Sequence, residues 1–523
     1  MSNRSFQKDI LEKGKFVVTL ELVPGAESGG RSVDRVMTIA KDALADGRIS
    51  AVTITDNPGG NPSLSPDVLG REILEMGMDV IVHFTCRDSN RAGIESRALQ
   101  LAHMGLKNIL ALNGDYSGTG FGGQGAPVFD LDSVNLICLL NMLRERTVGD
   151  SDQSGFFIGC AVSPFKSREA ECFAQYYKLC KKASAGARFA ITQLGYDARK
   201  FKELLQIQKQ LGLDLATLGS LYVLTPKAAR VMNSGKVPGA VVTANLLEIV
   251  QNEWREKNRG RTATIERSAR LGAVLKGLGY RGVHIGGVLS SFDLVCDILN
   301  RMSQIEQDWQ NYLPEFDFPQ KDGFYIVPNE NAEGPYTSIS PPSRTSEKPL
   351  DKTLFQFMRG LHYIFFRFDA PFAPFYAKLC AWLDRHRLGR VLVNMTEDPL
   401  KKLLLSCRKC GDCGIQHMAF LCPESQCPKR IRNGACGGSK DGMCEVYPDR
   451  ECVWVRTYRR WASIGQTERM TRGCVPPRIW ALDQTSSWLN FHLHRDHQSA
   501  SCGISQHCGI PVCSQKTSPA STQ

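Results

Sequence analysis

The densest chemistry in the chain is a run of eight cysteines, Cys407, Cys410, Cys413, Cys422, Cys427, Cys436, Cys444 and Cys452, all within 46 residues. Thiolates at C-x2-C-x2-C spacing serve as metal ligands, and eight satisfy two four-ligand sites. Zinc takes a tetrahedron of four thiolates, often from two C-x2-C knuckles, and only Cys407 to Cys413 offers that spacing. Four-iron clusters also take four thiolates, and the C-x2-C-x2-C run with Cys-Pro at Cys422 and Cys427 matches ferredoxin usage. Two [4Fe-4S] clusters are expected, with zinc the alternative. Disulfides fit less well, because nothing at the start of the chain reads as an export signal.

A second set of polar residues ends β-rich runs. Glu21 follows VVTL among Leu20, Leu22 and Val23, where a carboxyl is costly unless paired or used. Apolar surroundings raise its pKa and keep a proton available, which suits a general acid; a buried salt bridge is the plainer alternative. Thr53, Thr55, Asp56 and Asn57 end the next run, and His83 and Thr85 lie in IVHFTC. Asn113 and Asp115 flank a glycine in ILALNGD, a pattern that turns the chain sharply and exposes a carboxylate. Gly118 to Gly123 spells GxGxxG, yet the following QGAPVFD opens no helix, so the segment reads as a flexible loop rather than a nucleotide fingerprint.

Positioning these residues requires a scaffold that brings strand ends together. Eight β-rich runs recur, at Phe16–Leu22, Ala51–Thr55, Val80–Thr85, Asn108–Leu112, Phe156–Val162, Phe189–Leu194, Thr217–Leu224 and Gly282–Val288, and helix-favouring segments separate most of them. The fold class is α/β: a (β/α)8 TIM barrel, whose active sites lie at the C-terminal ends of the strands. A doubly wound open sheet is the runner-up, since periodicity does not report closure. The barrel is assigned to residues 1–310. A Pro-rich linker occupies 311–352, a helical and cysteine-rich metal-binding module 353–482, and a Ser-, Gln- and His-rich, disordered tail 483–523. In that tail Cys502, Cys508 and Cys513 with His494, His497 and His507 form a weaker candidate metal set.

At 523 residues and 42% hydrophobic composition the chain is globular with two or three domains. Its net charge of +11 is spread along the sequence without aromatic-interleaved basic motifs, which favours small anionic ligands over nucleic acid. No apolar run is long enough to span a membrane, and the expected compartment is the cytoplasm.

Five segments, VTLELVPGAES, VHFTC, LALNGD, AGARFAITQLGYD and HIGG, together resemble the catalytic domain of bacterial methylenetetrahydrofolate reductases, over roughly Phe6 to Met302. The resemblance implies a flavin-binding TIM barrel that reduces 5,10-methylenetetrahydrofolate to 5-methyltetrahydrofolate by hydride transfer from flavin N5. By that resemblance Glu21 is the acid that activates the folate, Asp115 the carboxylate near flavin N1 and the pterin, and Gln193 the amide on the folate. Thr55 and His83 match flavin contacts, and Lys182 a lysine reaching the cofactor's phosphates; a surface helix lysine is the alternative for Lys182. Asn113 departs from the arginine found before Gly-Asp in the FAD enzymes, and AVSPFK lacks the usual tyrosine, so FMN stands beside FAD. CPKRIRNGACGGSKDGMCEV resembles the C-terminal module that accompanies some bacterial, archaeal and acetogen-type reductases. Expected partners are the folate, NAD(P)H or a redox protein such as ferredoxin, and a second copy of the chain. Two other readings are a zinc-stapled assembly subunit without catalysis and a pterin-binding methyltransferase-type barrel.

Overall fold

The computed structural model describes residues 5–147, 155–255, 257–287, 289–326 and 349–499. Eight parallel strands close into a barrel: β1 (Val17–Leu22), β2 (Ala51–Ile54), β3 (Val80–Thr85), β4 (Asn108–Leu112), β5 (Phe157–Val162), β6 (Phe189–Thr192), β7 (Ala216–Tyr222) and β8 (Gly282–Gly286). The ring is completed where β1 pairs β8, from Val17 opposite Gly282 to Leu20 opposite Ile285. Strands sheathed by helices are buried on both faces, which is why they read as continuous apolar runs rather than alternating ones. The floor of the barrel is stoppered by Phe6, Phe157 and Phe189, whose ring centroids lie 5.2 to 6.0 Å apart. Polar side chains are thereby left to the opposite mouth, where the strands end.

Three sequence expectations are corrected or refined. Gly118 to Gly123 forms a small antiparallel hairpin, Thr119–Gly120 against Gly123–Gln124. The Pro-rich stretch begins as part of the barrel, since Phe316 and Phe324 are buried in its core; Pro328 to Pro342 lie outside the described residues. The segment from 483 is not a tail as far as residue 499. It holds a helix, Ser487–His492, capped by the Ser486 hydroxyl, with Leu489 and Phe491 buried and Phe491 stacked on Phe368 at 4.7 Å. Within a polar composition, Trp488 and Phe491 pack on Phe366 and Phe368, and Glu397 accepts from the Ser486 and Ser487 hydroxyls, which holds the helix in place. Cys502, His507, Cys508 and Cys513 lie outside the described residues.

The cysteine module sits on the barrel mouth through a buried polar seam. Asp132 caps the helix Ser133–Thr147 with one oxygen, while its other oxygen accepts from the backbone N–H groups of Arg432 (3.2 Å) and Asn433 (3.0 Å) and from the Asn433 amide (3.0 Å). Lys166 donates to the Ser439 carbonyl at 2.6 Å and Lys178 to that of Gly434 at 3.1 Å, while Phe173 stacks on Tyr458 at 5.5 Å. Buried donors left without an acceptor each cost about 1–3 kcal/mol. Asp132→Ala is therefore expected to lower stability by about 2–4 kcal/mol and to free the module first, read by denaturant unfolding and limited proteolysis. Wild-type unfolding would show that the seam does not hold the module.

Candidate functional site

The seven barrel residues given a role by the resemblance, Glu21, Thr55, His83, Asn113, Asp115, Lys182 and Gln193, line one cavity of about 390 Å³ at the strand ends, as do Asp56 and Thr85, whereas Thr53 and Asn57 do not. That volume is within the range of about 300–1,000 Å³ typical of small-molecule and cofactor sites. The wall opposite them comes from the module: Lys429, Cys436, Gly437, Gly438 and Glu445 line the same cavity. Spacing along the chain gave no sign of these contributors, because they approach from more than 230 residues beyond Gln193.

Glu21, on β1, faces His284, on β8, with Oε2 to Nε2 at 3.6 Å. The Thr19 hydroxyl lies 3.0 Å from His284 Nδ1 and 3.4 Å from the Val283 carbonyl. If that hydroxyl donates to the carbonyl and accepts Nδ1–H, Nε2 is left facing the carboxyl, with one proton to share. Burial alone pushes the Glu21 carboxyl up, as expected from its apolar neighbours. His284, 3.6 Å away, and to a smaller extent His83 outweigh it and hold the carboxyl below its ordinary value. That corrects the expectation of a raised pKa, which lacked the histidines because they come from other strands. His284 was not among the residues given a role from sequence, although it lies in the HIGG segment.

His83 is buried and pushed down to about 4, so its ring is neutral near pH 7. Its Nε2, Thr55 Oγ1, Ser133 Oγ, Ser163 Oγ and Gln175 Nε2 all line the cavity, buried, without a hydrogen-bond partner among the described residues. Buried polar atoms are rarely left so. Their convergence fits a flat ligand rich in donors and acceptors, such as a flavin ring. Asn113 accepts from the Ser133 N–H at 2.8 Å, so its side-chain oxygen caps a helix. Asp115 accepts from the Gly59 N–H at 3.0 Å. Gln193 donates to the Pro238 carbonyl at 3.1 Å and accepts from the Leu194 N–H at 2.9 Å. Lys182 is buried, its ammonium donating to the Ala161 carbonyl at 2.5 Å, and burial lowers its pKa. It is no surface lysine.

The eight cysteines divide into two foursomes. Cys407, Cys410, Cys413 and Cys422 line a small cavity of about 20 Å³ together with Lys401 and Arg432. Cys427, Cys436, Cys444 and Cys452 gather near the barrel mouth, where Cys436 Sγ lies 3.2 Å from Glu445 Oε1. Burial pushes the thiols up, to about 11 for Cys422 and Cys427 and about 12 for Cys436. A cation beside each foursome offsets the charge that ligating thiolates would carry: Lys401 near Cys413 and Cys407, and Lys429, bonded to Glu445 at 2.6 Å, near Cys436. Among the described residues the one group of three or more metal-type ligands within 4.8 Å is Asp412, Asp496 and His497. Asp412 is already spent, on His497 Nδ1 (2.5 Å) and Arg432 (2.9 Å), so that group reads as an ion pair. His494 stacks on Phe368 instead.

A family model described as "Methylenetetrahydrofolate reductase" matches residues 7–294, and one described as "Methylene-tetrahydrofolate reductase C terminal" matches residues 390–481. Among curated relatives, the "Probable methylenetetrahydrofolate reductase (NADPH)" of Caenorhabditis elegans is 28% identical over 33% of this chain and 25% of its own length. "Methylenetetrahydrofolate reductase 2" of Saccharomyces cerevisiae is 26% identical over 34% and 29%, respectively. The "5,10-methylenetetrahydrofolate reductase" of Pectobacterium carotovorum is 26% identical over 39% and 62%. The aligned stretch thus spans less than two thirds of each relative. Among solved structures, a Clostridium thermocellum protein titled as binding two copies of 5-methyl-5,6,7,8-tetrahydrofolic acid aligns with TM-score 0.39 and 13% identity, over 58% of this chain and 99% of its own.

Proposed function

The chain belongs to the methylenetetrahydrofolate reductase family, and from that premise we propose that it reduces 5,10-methylenetetrahydrofolate to 5-methyltetrahydrofolate at the barrel mouth. The observation that carries this reading is the convergence of five unpartnered polar atoms on a cavity that also holds the Glu21–His284 pair. A flavin, FAD or FMN, supplies the hydride when bound. Thr55, His83 and Lys182 would hold it, Lys182 by exchanging the Ala161 carbonyl for a phosphate. Asn113, committed to the Ser133 N–H, offers no cation there, which keeps FMN beside FAD.

Glu21 protonates the folate nitrogen that opens toward the iminium, taking its proton from the site shared with His284 Nε2. Gln193 turns its amide from Pro238 and Leu194 to the pterin edge, whose donors and acceptors it complements. Asp115 sets the charge beside the bound cofactor, with Lys429 close enough for the two charges to interact. The two cysteine foursomes would hold [4Fe-4S] clusters, which carry electrons when bound; NAD(P)H or a ferredoxin-type protein is the source.

The test is spectral. Protein prepared without oxygen should take up FAD or FMN, turn yellow, bleach on dithionite and regain colour on adding 5,10-methylenetetrahydrofolate. A preparation that binds neither flavin overturns the reading. Asp115→Asn should raise the flavin midpoint potential by about 30 mV or more, because a negative charge beside the ring disfavours the anionic reduced form. An unchanged potential in a redox titration would remove Asp115 from the flavin edge.

A further inference from the structure

Ahead of the cysteines stand the helices Pro349–Phe365, Ala373–Arg385 and Arg387–Leu405. The first is anchored by Phe355, buried against Trp461 with ring centroids 5.9 Å apart. The other two form a hairpin that gives the protein's core almost nothing. Ala373–Arg385 buries no residue, and Arg387–Leu405 buries only Gly389, Glu397, Lys401 and Leu405. Phe375, Leu379 and Trp382 recur at helical spacing on the first arm, and Leu388, Leu392, Met395 and Leu403 on the second. All are exposed, Trp382 by 59%, Leu388 by 78% and Leu403 by 83%. Large exposed apolar side chains recurring along both arms mark an interaction surface.

Its chemistry selects the occupant. Of the 18 exposed residues in 373–405, 11 are apolar, five are the cations Lys378, Arg385, Arg387, Arg390 and Lys402, and none is acidic. The hairpin's own carboxylates are neutralised within the fold, Asp384 by Arg495, Glu397 by Lys401 and Asp398 by Lys409. A second copy would bring like charges face to face. A protein interface is ordinarily knit by acceptors as well as donors, and beyond the cations this surface offers only Thr396 and His386 as exposed polar side chains. Phenylalanine, tryptophan and leucine flanked by uncompensated lysine and arginine are the composition of helices that lie in a lipid headgroup layer. We propose that the 373–405 hairpin docks the protein on an anionic lipid surface, its apolar stripes in the interface and its cations on the headgroups, with no segment crossing the bilayer.

Sedimentation of the full chain with vesicles tests this. The protein should pellet with phosphatidylglycerol-containing vesicles, bind pure phosphatidylcholine at least tenfold more weakly, and be released by salt. Replacing Phe375, Trp382 and Leu392 together by Ser should weaken binding by roughly tenfold or more. Replacing Lys378, Arg385 and Arg387 by Gln should weaken binding to anionic vesicles by about a hundredfold while leaving the weak phosphatidylcholine binding unchanged. Every position is exposed, so both variants should keep the wild-type melting temperature. Protein that stays in the supernatant with all vesicles overturns the proposal. So does a dimer, seen by light scattering, that Trp382→Ser splits, or a monomer in which Trp382 is already shielded from a soluble quencher by another part of the chain.

Discussion

Glu21→Gln is expected to keep bound flavin and lose folate reduction by about 10²- to 10⁴-fold, the usual worth of a positioned acid. An amide occupies the same volume and still meets His284, so the fold and cofactor should be undisturbed. The pH dependence carries the sharper information. His284 and His83 hold the Glu21 carboxyl below its ordinary value in the free protein. The protonated fraction therefore shrinks tenfold for each pH unit above it, and log kcat/KM should fall with a slope near −1 from about pH 6 to 8. Removing the histidine reverses the balance: in His284→Phe burial acts on the carboxyl beside a His83 ring that is neutral near pH 7, and the break in the profile should move upward. A flat wild-type profile, or wild-type turnover by Glu21→Gln, would end the role of Glu21 as the acid. Stability has the opposite sense. A carboxyl held low in the folded state contributes stability above its unfolded pKa and loses that contribution as pH falls through the folded one, so wild type should lose more stability on acidification than Glu21→Gln.

The second large effect is in the metal content. Eight thiolates are twice what one structural zinc takes, and the C-x2-C-x2-C run with two Cys-Pro pairs matches ferredoxin usage, which favours two four-iron clusters. Protein made and kept without oxygen should be brown, carry about eight irons per chain, and lose broad visible absorbance on dithionite. Cys436→Ser should halve the iron and spare the foursome of Cys407, Cys410, Cys413 and Cys422, because the two sites share no ligand. Stoichiometric zinc without iron would make the module a structural staple and leave NADH as the direct reductant, testable by rapid bleaching of the flavin. Because flavin uptake and iron content are measured separately, the barrel reading and the cluster reading fail independently.

Strand positions, the closing β8 run and the polar residues at strand ends were all legible in the sequence, because a buried parallel strand must be continuously apolar and its functional end must break that pattern. Glu21 and the cysteine spacings stood out because each is costly or purposeless unless used, whereas Asp115, equally readable as a plain turn carboxylate, takes its role only from the family resemblance. The tertiary structure alone decided what those residues face. His284 reaches Glu21 only because the barrel closes, bringing the last strand beside the first, and that contact reverses the direction of the carboxyl's shift. Lys429 and Glu445 enter the cavity only because the module folds back over the mouth. The division of eight cysteines into two foursomes follows from their places in space rather than their order. The hairpin at 373–405 is an ordinary amphipathic pattern in sequence, and only the fold shows that nothing among the described residues covers its apolar stripes. Periodicity along a chain reports which side of an element avoids water; it carries no information on which distant element, or which surface outside the molecule, meets that side.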